Sequence, residues 1–139
     1  MRTAGRRVEL AVTDTHALVW WAQGRPSRLG RNARKLYEAV GEGRATLFVP
    51  TLVLVEIADL AGRGIVRLSD GVADWTRGLL STGRFFAAEL TVDVVLRAEA
   101  LHAIPERTDR LIAATAAQLG YPLVTRDVRV AQAEVDVIW

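Results

Sequence analysis

An α/β fold is what this sequence predicts: a three-layer sandwich in which a central, mostly parallel five-stranded sheet lies between helices. Three observations lead there. Five short apolar runs recur along the chain, and stretches with helical spacing separate them. Strands joined by crossovers of ten or more residues pair in parallel, and such a sheet needs helices on its faces. At 139 residues, half of them hydrophobic and 24% charged, the chain has the size and composition of one globular domain spanning 1–139.

The elements follow in order. VELAVT (8–13) reads as a strand feeding Asp14, and 16–22 as a short helix ended by the Gly24–Pro26 break. Ser27 offers an N-cap for a helix to about Val40, with Leu29, Ala33, Leu36 and Val40 at helical spacing. A second strand covers 45–49, and Thr51 is placed to cap a helix from Leu52 to about Ala61. A helix over 72–80 precedes a strand over 85–90; Thr91 then caps a helix reaching about Ala103. The next helix spans 108–119 and stops at Gly120, a residue that readily adopts the left-handed conformation of a helix end. Strands over 122–125 and 135–139 close the chain.

Composition removes whole classes of chemistry. Without cysteine there is no disulfide framework, no thiolate zinc site and no thiol nucleophile. The basic residues are 17 Arg and the single Lys35, which lies in RNARKLY and not after the glycine-rich turn that a phosphate-binding loop requires. The longest uncharged run, 111–125, has 15 residues, short of the about 20 that span a bilayer. The basic MRTAGRR start resembles a signal peptide, but Glu9 and Asp14 interrupt any apolar stretch after it. These features point to a soluble cytoplasmic protein with no membrane association.

Four acids stand out. In open parallel sheets ligands bind beyond the carboxyl ends of the strands, near a switch in strand order. Asp14 directly follows the first strand, and Asp127 follows the late one. Asp109 opens a helix, and Glu56 interrupts the apolar TLVLVEIADL. Each has an ordinary explanation as well. Asp14 suits a helix N-cap, Asp109 the positive end of a helix dipole, and Asp127 a turn. A partly buried Glu56 needs a cation, for which an arginine would serve. Gathered at one edge, the four would repel one another unless a divalent ion neutralised them, and a sulfur-free oxygen site suits Mg²⁺ or Mn²⁺.

At this point the residues resemble the PIN-domain ribonucleases, and in particular the VapC-type toxins of toxin–antitoxin pairs. TDTHALVWW (13–21), VLVEIADL (53–60), PERTDRLIAATAAQLGYPLVTRD (105–127) and VDVIW (135–139) carry the resemblance nearly end to end, the third most specifically. It implies that Asp14, Glu56, Asp109 and Asp127 form a catalytic Mg²⁺ or Mn²⁺ centre, Asp14 and Asp109 innermost. It also implies that Thr125 holds the site by hydrogen bonds. Many members carry Asp-Pro three residues before the third acid; here Glu106 stands in that place, with Pro105 before it, so Glu106 falls beside the centre. The implied activity is an endoribonuclease in which activated water attacks phosphorus in line, leaving 5′-phosphate and 3′-hydroxyl ends. A cognate antitoxin and a homodimer are the implied partners. A housekeeping RNA-processing nuclease and an inactive RNA- or protein-binding scaffold are the alternatives.

Other residues are candidates by position. His16, two residues after Asp14, could meet RNA or take a supporting place near the site. Arg28, Arg31, Arg34 and Lys35 recur at three- and four-residue steps, either a solvated stripe or a track for RNA phosphates. Arg110 is read as the ion-pair partner of an acid. Of the adjacent Trp20 and Trp21, one is expected in the core and the other, with Leu18, in an exposed patch. His102 is expected at a helix end.

Overall fold

The central strand forms where three consecutive small or β-branched residues, Ala11, Val12 and Thr13, can all be hidden, and all three are buried. Burial on both faces of one strand requires a layer on each side. In the computed structural model, which describes residues 9–139, this strand is β1 (Glu9–Thr13). Val8 and the basic start of the chain lie outside the described residues.

The remaining elements are α1 (Thr15–Ala22), α2 (Arg31–Gly41), β2 (Ala45–Pro50), α3 (Thr51–Gly62), α4 (Gly71–Leu80) and β3 (Phe85–Ala88). After them come α5 (Val92–Glu99), α6 (Arg107–Leu119), β4 (Leu123–Val124) and β5 (Val137–Ile138). The five strands run parallel in the order β3-β2-β1-β4-β5, with Val12 opposite both Phe48 and Leu123. The chain builds outward from β1 in one direction through β2 and β3, then returns to its other side with β4 and β5. The switch in strand order therefore lies between β1 and β4.

Leu18, Tyr37, Leu47, Ile57, Ile104 and Leu123 are the largest fully buried apolar or aromatic side chains, and they join the sheet to its helices. The Tyr37 hydroxyl lies 2.5 Å from Thr13 Oγ1, which satisfies both polar groups in the core. Burial pushes the Tyr37 phenol well above its ordinary range.

Several boundaries differ from the sequence reading. Ser27 does not cap α2: residues 26–28 form one tight turn begun by Pro26, and the helix starts at Arg31 after Gly30. Arg28 consequently sits outside the helix that was to align it with Arg31, Arg34 and Lys35. Thr51 is the first residue of α3, while Pro50 holds the cap position without a side-chain bond. Thr91 caps α5 as expected, accepting the Val94 N–H at 3.2 Å, but the helix ends at Glu99 and leaves His102 in the following turn. Gly120 ends α6 at φ 75°, a conformation that side chains with a Cβ resist. Leu18 is fully buried, so it joins no exposed patch.

Candidate metal centre

Asp14 stands where β1 turns into α1, and its own chemistry makes that junction. Its Oδ1 accepts the Ala17 N–H at 2.9 Å, capping the helix. Its main-chain N–H donates to the Val124 carbonyl at 3.1 Å, tying the end of β1 to the end of β4. The Thr125 hydroxyl shares the chamber with the Asp14 carboxylate and favours its charged form. Burial raises the Asp14 carboxyl above its ordinary range; the Ala17 N–H, the Thr125 hydroxyl and His16 act against the rise, and the Asp109 charge adds to it.

Asp109 lies in the first turn of α6. Its carboxyl is also raised, first by burial and then by the charges of Asp127 and Glu106, with Arg129 and His16 opposing. Asp127 behaves in the opposite way. Arg129 grips it with both arms of its guanidinium, Nε to Oδ1 at 2.9 Å and Nη2 to Oδ2 at 2.8 Å, and holds its carboxyl below the ordinary range. Thr125 connects the acids, since its Oγ1 also accepts the Asp127 N–H at 3.1 Å.

Asp14, Asp109, Asp127 and Thr125 line a chamber of about 20 Å³. That is room for one water-sized guest. The same residues face a cleft of about 340 Å³, whose wall continues through His16, Trp20, Arg126, Arg129 and Trp139. Glu56 opens onto an adjoining depression shared with Thr15, His16 and Thr108. No arginine neutralises it among the described residues; the buried Thr15 hydroxyl donates to Glu56 Oε1 instead.

The flanking basic residues fall elsewhere. Among the described residues Arg110 makes no ion pair with an acid: its Nη2 donates to the Pro105 carbonyl at 3.1 Å and its Nε to the Ile104 carbonyl, bracing the turn before α6. Glu106 is exposed at the residue before α6 and reaches the acids only as a charge. Arg28, Arg31, Arg34 and Lys35 are exposed but line none of the cleft. Lys35 lines a separate depression beside Glu38 and Glu42.

Among the described residues, no three His, Asp or Glu side chains form a group that could hold an ion as they stand. The reason is local, because Asp127 is turned to Arg129 and Glu56 to Thr15. The donor set nonetheless fits a hard divalent cation. It is made of oxygens alone, and its two innermost carboxyls have lost solvent and gain an opposite charge by binding one. Mg²⁺ takes only one or two protein carboxylates directly and keeps water for the rest, which Asp14 and Asp109 suffice to supply. Arg126, Arg129, Thr15 and Trp139 were not singled out from the sequence. The basic residues on both sides of Asp127 in TRDVR were the available signal for the first two.

Comparison with known proteins places the chain in a family and a fold. The family model described as PIN domain matches residues 11–136. The chain is 34% identical over 118 residues to Ribonuclease VapC22 of Mycobacterium tuberculosis, covering 84% of this chain and 85% of that protein. Among solved structures it superposes on VapBC2 of Rickettsia felis, bound to a promoter DNA fragment, with TM-score 0.67, 16% identity and coverage of 92% and 96% of the two chains. A toxin–antitoxin complex from Klebsiella pneumoniae gives TM-score 0.63 at 19% identity, covering 93% and 96%. With its acids at the switch point and the family match running over nearly all of its length, the chain belongs to the PIN domain family, among the VapC-type members.

Proposed function

We propose that the protein is a divalent-metal-dependent endoribonuclease of the cytoplasm, the toxin of a type II toxin–antitoxin pair, held in check by a cognate antitoxin. One observation carries the reading: Asp14, Asp109 and Asp127 arrive from separate elements and line a single chamber at the carboxyl edge of the sheet. The relative named as a ribonuclease and the fold neighbours solved as toxin–antitoxin assemblies support the activity and the partner, and favour a toxin over a housekeeping nuclease.

In this reading Asp14 and Asp109 hold Mg²⁺ or Mn²⁺, with Asp127 and Glu56 acting through water. When bound, the ion supplies a Lewis acid that activates water and neutralises the scissile phosphate. The chain does the rest. Thr125 fixes the Asp14 carboxylate against both helix cap and ion. Arg129 keeps Asp127 ionised. His16, at the rim of both depressions, can carry a proton to or from solvent.

Purified protein incubated with single-stranded RNA and Mg²⁺ or Mn²⁺ tests the proposal. Asp14→Asn and Asp109→Asn should each lose on the order of 100-fold in cleavage rate or more. Cleavage as fast as in the unmodified protein would reject it. Induced expression should arrest growth, and Asp109→Asn should not.

A further inference from the structure

Hydrolysis uses the acids of the cleft and His16, and leaves Trp20, Arg126 and Trp139 of the same lining without a task. That part of the lining is aromatic. His16 and Trp20 rings stand 5.7 Å apart at 44°, and Trp20 and Trp139 rings 5.9 Å apart at 58°. The Arg126 guanidinium carbon lies 5.2 Å from the centre of the Trp20 ring. Both tryptophans remain partly open, and His16 and Arg126 are exposed.

Trp20 and Trp139 pack against the core on one side only and stay partly open on the other. Trp21, the neighbour of Trp20, packs among other aromatics instead of in this row, with its ring 5.6 Å from Tyr37 and 5.3 Å from Phe85. Trp139 is fixed by a contact that costs α2 a side-chain cap. A Cβ on Gly30 would lie 2.5 Å from the Trp139 carbonyl carbon and 2.6 Å from its ring Cδ1. The Asn32 N–H donates to the Trp139 carbonyl at 3.2 Å, taking up one of the helix's first free donors. Glycine stands at the start of α2 where Trp139 leaves no room for a capping side chain.

We infer that Trp20 and Trp139 form a stacking subsite for an unpaired nucleobase of the RNA, beside the phosphate that the acids face. The inference rests on the ribonuclease reading and names how that site takes hold of its substrate. A polyanion entering an acidic cleft needs attraction that does not depend on net charge, and every base offers a neutral π-face to an indole. Arg129 is committed to Asp127, whereas Arg126 makes no ion pair among the described residues. When a base takes the Trp20 face, the Arg126 guanidinium turns to the adjoining phosphate, with no new charge to bury. A base for the indole face and a phosphate for the free guanidinium come joined in each nucleotide of RNA, so nucleic acid is the better-matched occupant.

Fluorescence anisotropy of a labelled single-stranded RNA, read without divalent ions so that nothing is cleaved, tests the subsite. The RNA is used intact and as a series with one abasic position each. At the stacked position, base removal should weaken binding to the unmodified protein about tenfold. Trp139→Leu and Trp20→Leu should bind intact RNA about tenfold more weakly and lose nothing further at that abasic position, whereas the Phe variants should recover most of the loss. Arg126→Gln removes the guanidinium that lies over Trp20 and should lower the slope of log affinity against log salt by about 0.7. Leu variants that bind intact RNA like the unmodified protein, or that stay equally sensitive to base removal, would overturn the inference, as would an unchanged slope. An Asp109→Asn that cleaves as fast as the unmodified protein would instead sink the acidic metal centre on which the nuclease reading rests and leave these affinities standing.

Discussion

Asp14 caps a helix and faces the chamber with the same carboxylate, and the two demands separate cleanly on substitution. Asparagine caps as well as aspartate does, so Asp14→Asn keeps the Ala17 bond and removes only the charge. Asp14 and Asp109, with carboxyls raised above their ordinary 3.8, keep protons in the folded protein at pH values where the unfolded chain has released them. Stability of the metal-free protein therefore falls as pH rises from 3.8 through their raised values. Asp127 has the opposite sign: its contribution is complete above 3.8 and is lost as pH falls through its depressed value. At neutral pH, Asp14→Asn and Asp109→Asn should raise the metal-free melting temperature by a few degrees, the response of a domain this size to about 1 kcal/mol. Asp127→Asn should lower it slightly by stranding Arg129. A fall in all three would show that the acids do not crowd one another. Arg129→Gln should tighten Mn²⁺ binding severalfold in calorimetry, because it frees both oxygens of Asp127 for the ion.

At the scale of elements, what the sequence made legible and what it hid divide by distance along the chain. The five strands, the helices between them and the Gly120 stop follow from periodicity and local backbone preference, which neighbours of a few residues decide. The placing of Asp14 and Asp127 at strand ends was legible for the same reason, once the sheet was taken as parallel. The start of α2 was not, because it depends on Trp139, at the far end of the sequence. Nor were the grip of Arg129 on Asp127 and the turn of Glu56 toward Thr15, where side-chain torsions decide and spacing does not. Arg110 failed as an ion-pair partner because the carbonyls of the turn before α6 claim it first. The α2 contact makes a sharp prediction. Gly30→Ala forces a Cβ against main chain that a hydrogen bond already pins, and overpacking of this kind costs about 1–3 kcal/mol. Gly62, at the end of α3, would have nothing within 4 Å of an added methyl. Gly62→Ala should be neutral or stabilise by up to about 1 kcal/mol. Urea midpoints that shift equally for both would remove the special standing of the Gly30 contact.

For the whole molecule the sheet edge couples folding, protons and metal into one measurable relation. The switch between β1 and β4 collects Asp14 from one strand end, Thr125 and Asp127 from the other and Asp109 from α6, so the proposed ligands of the ion exist together only in the folded chain. A ligand that binds the folded state alone stabilises it by about 2.7 kcal/mol at a hundredfold excess over its dissociation constant. In a domain of this size that raises the melting temperature by roughly 8–10 °C. Protons and metal compete for Asp14 and Asp109, so the ion binds more tightly as pH rises, while the metal-free protein loses stability over the same interval. Melting temperatures measured with excess Mn²⁺ and with chelator should therefore draw apart as pH increases, and the gap should close in Asp109→Asn. Two curves that run parallel across the carboxylate range would mean that the ion stabilises the protein at some place other than these acids.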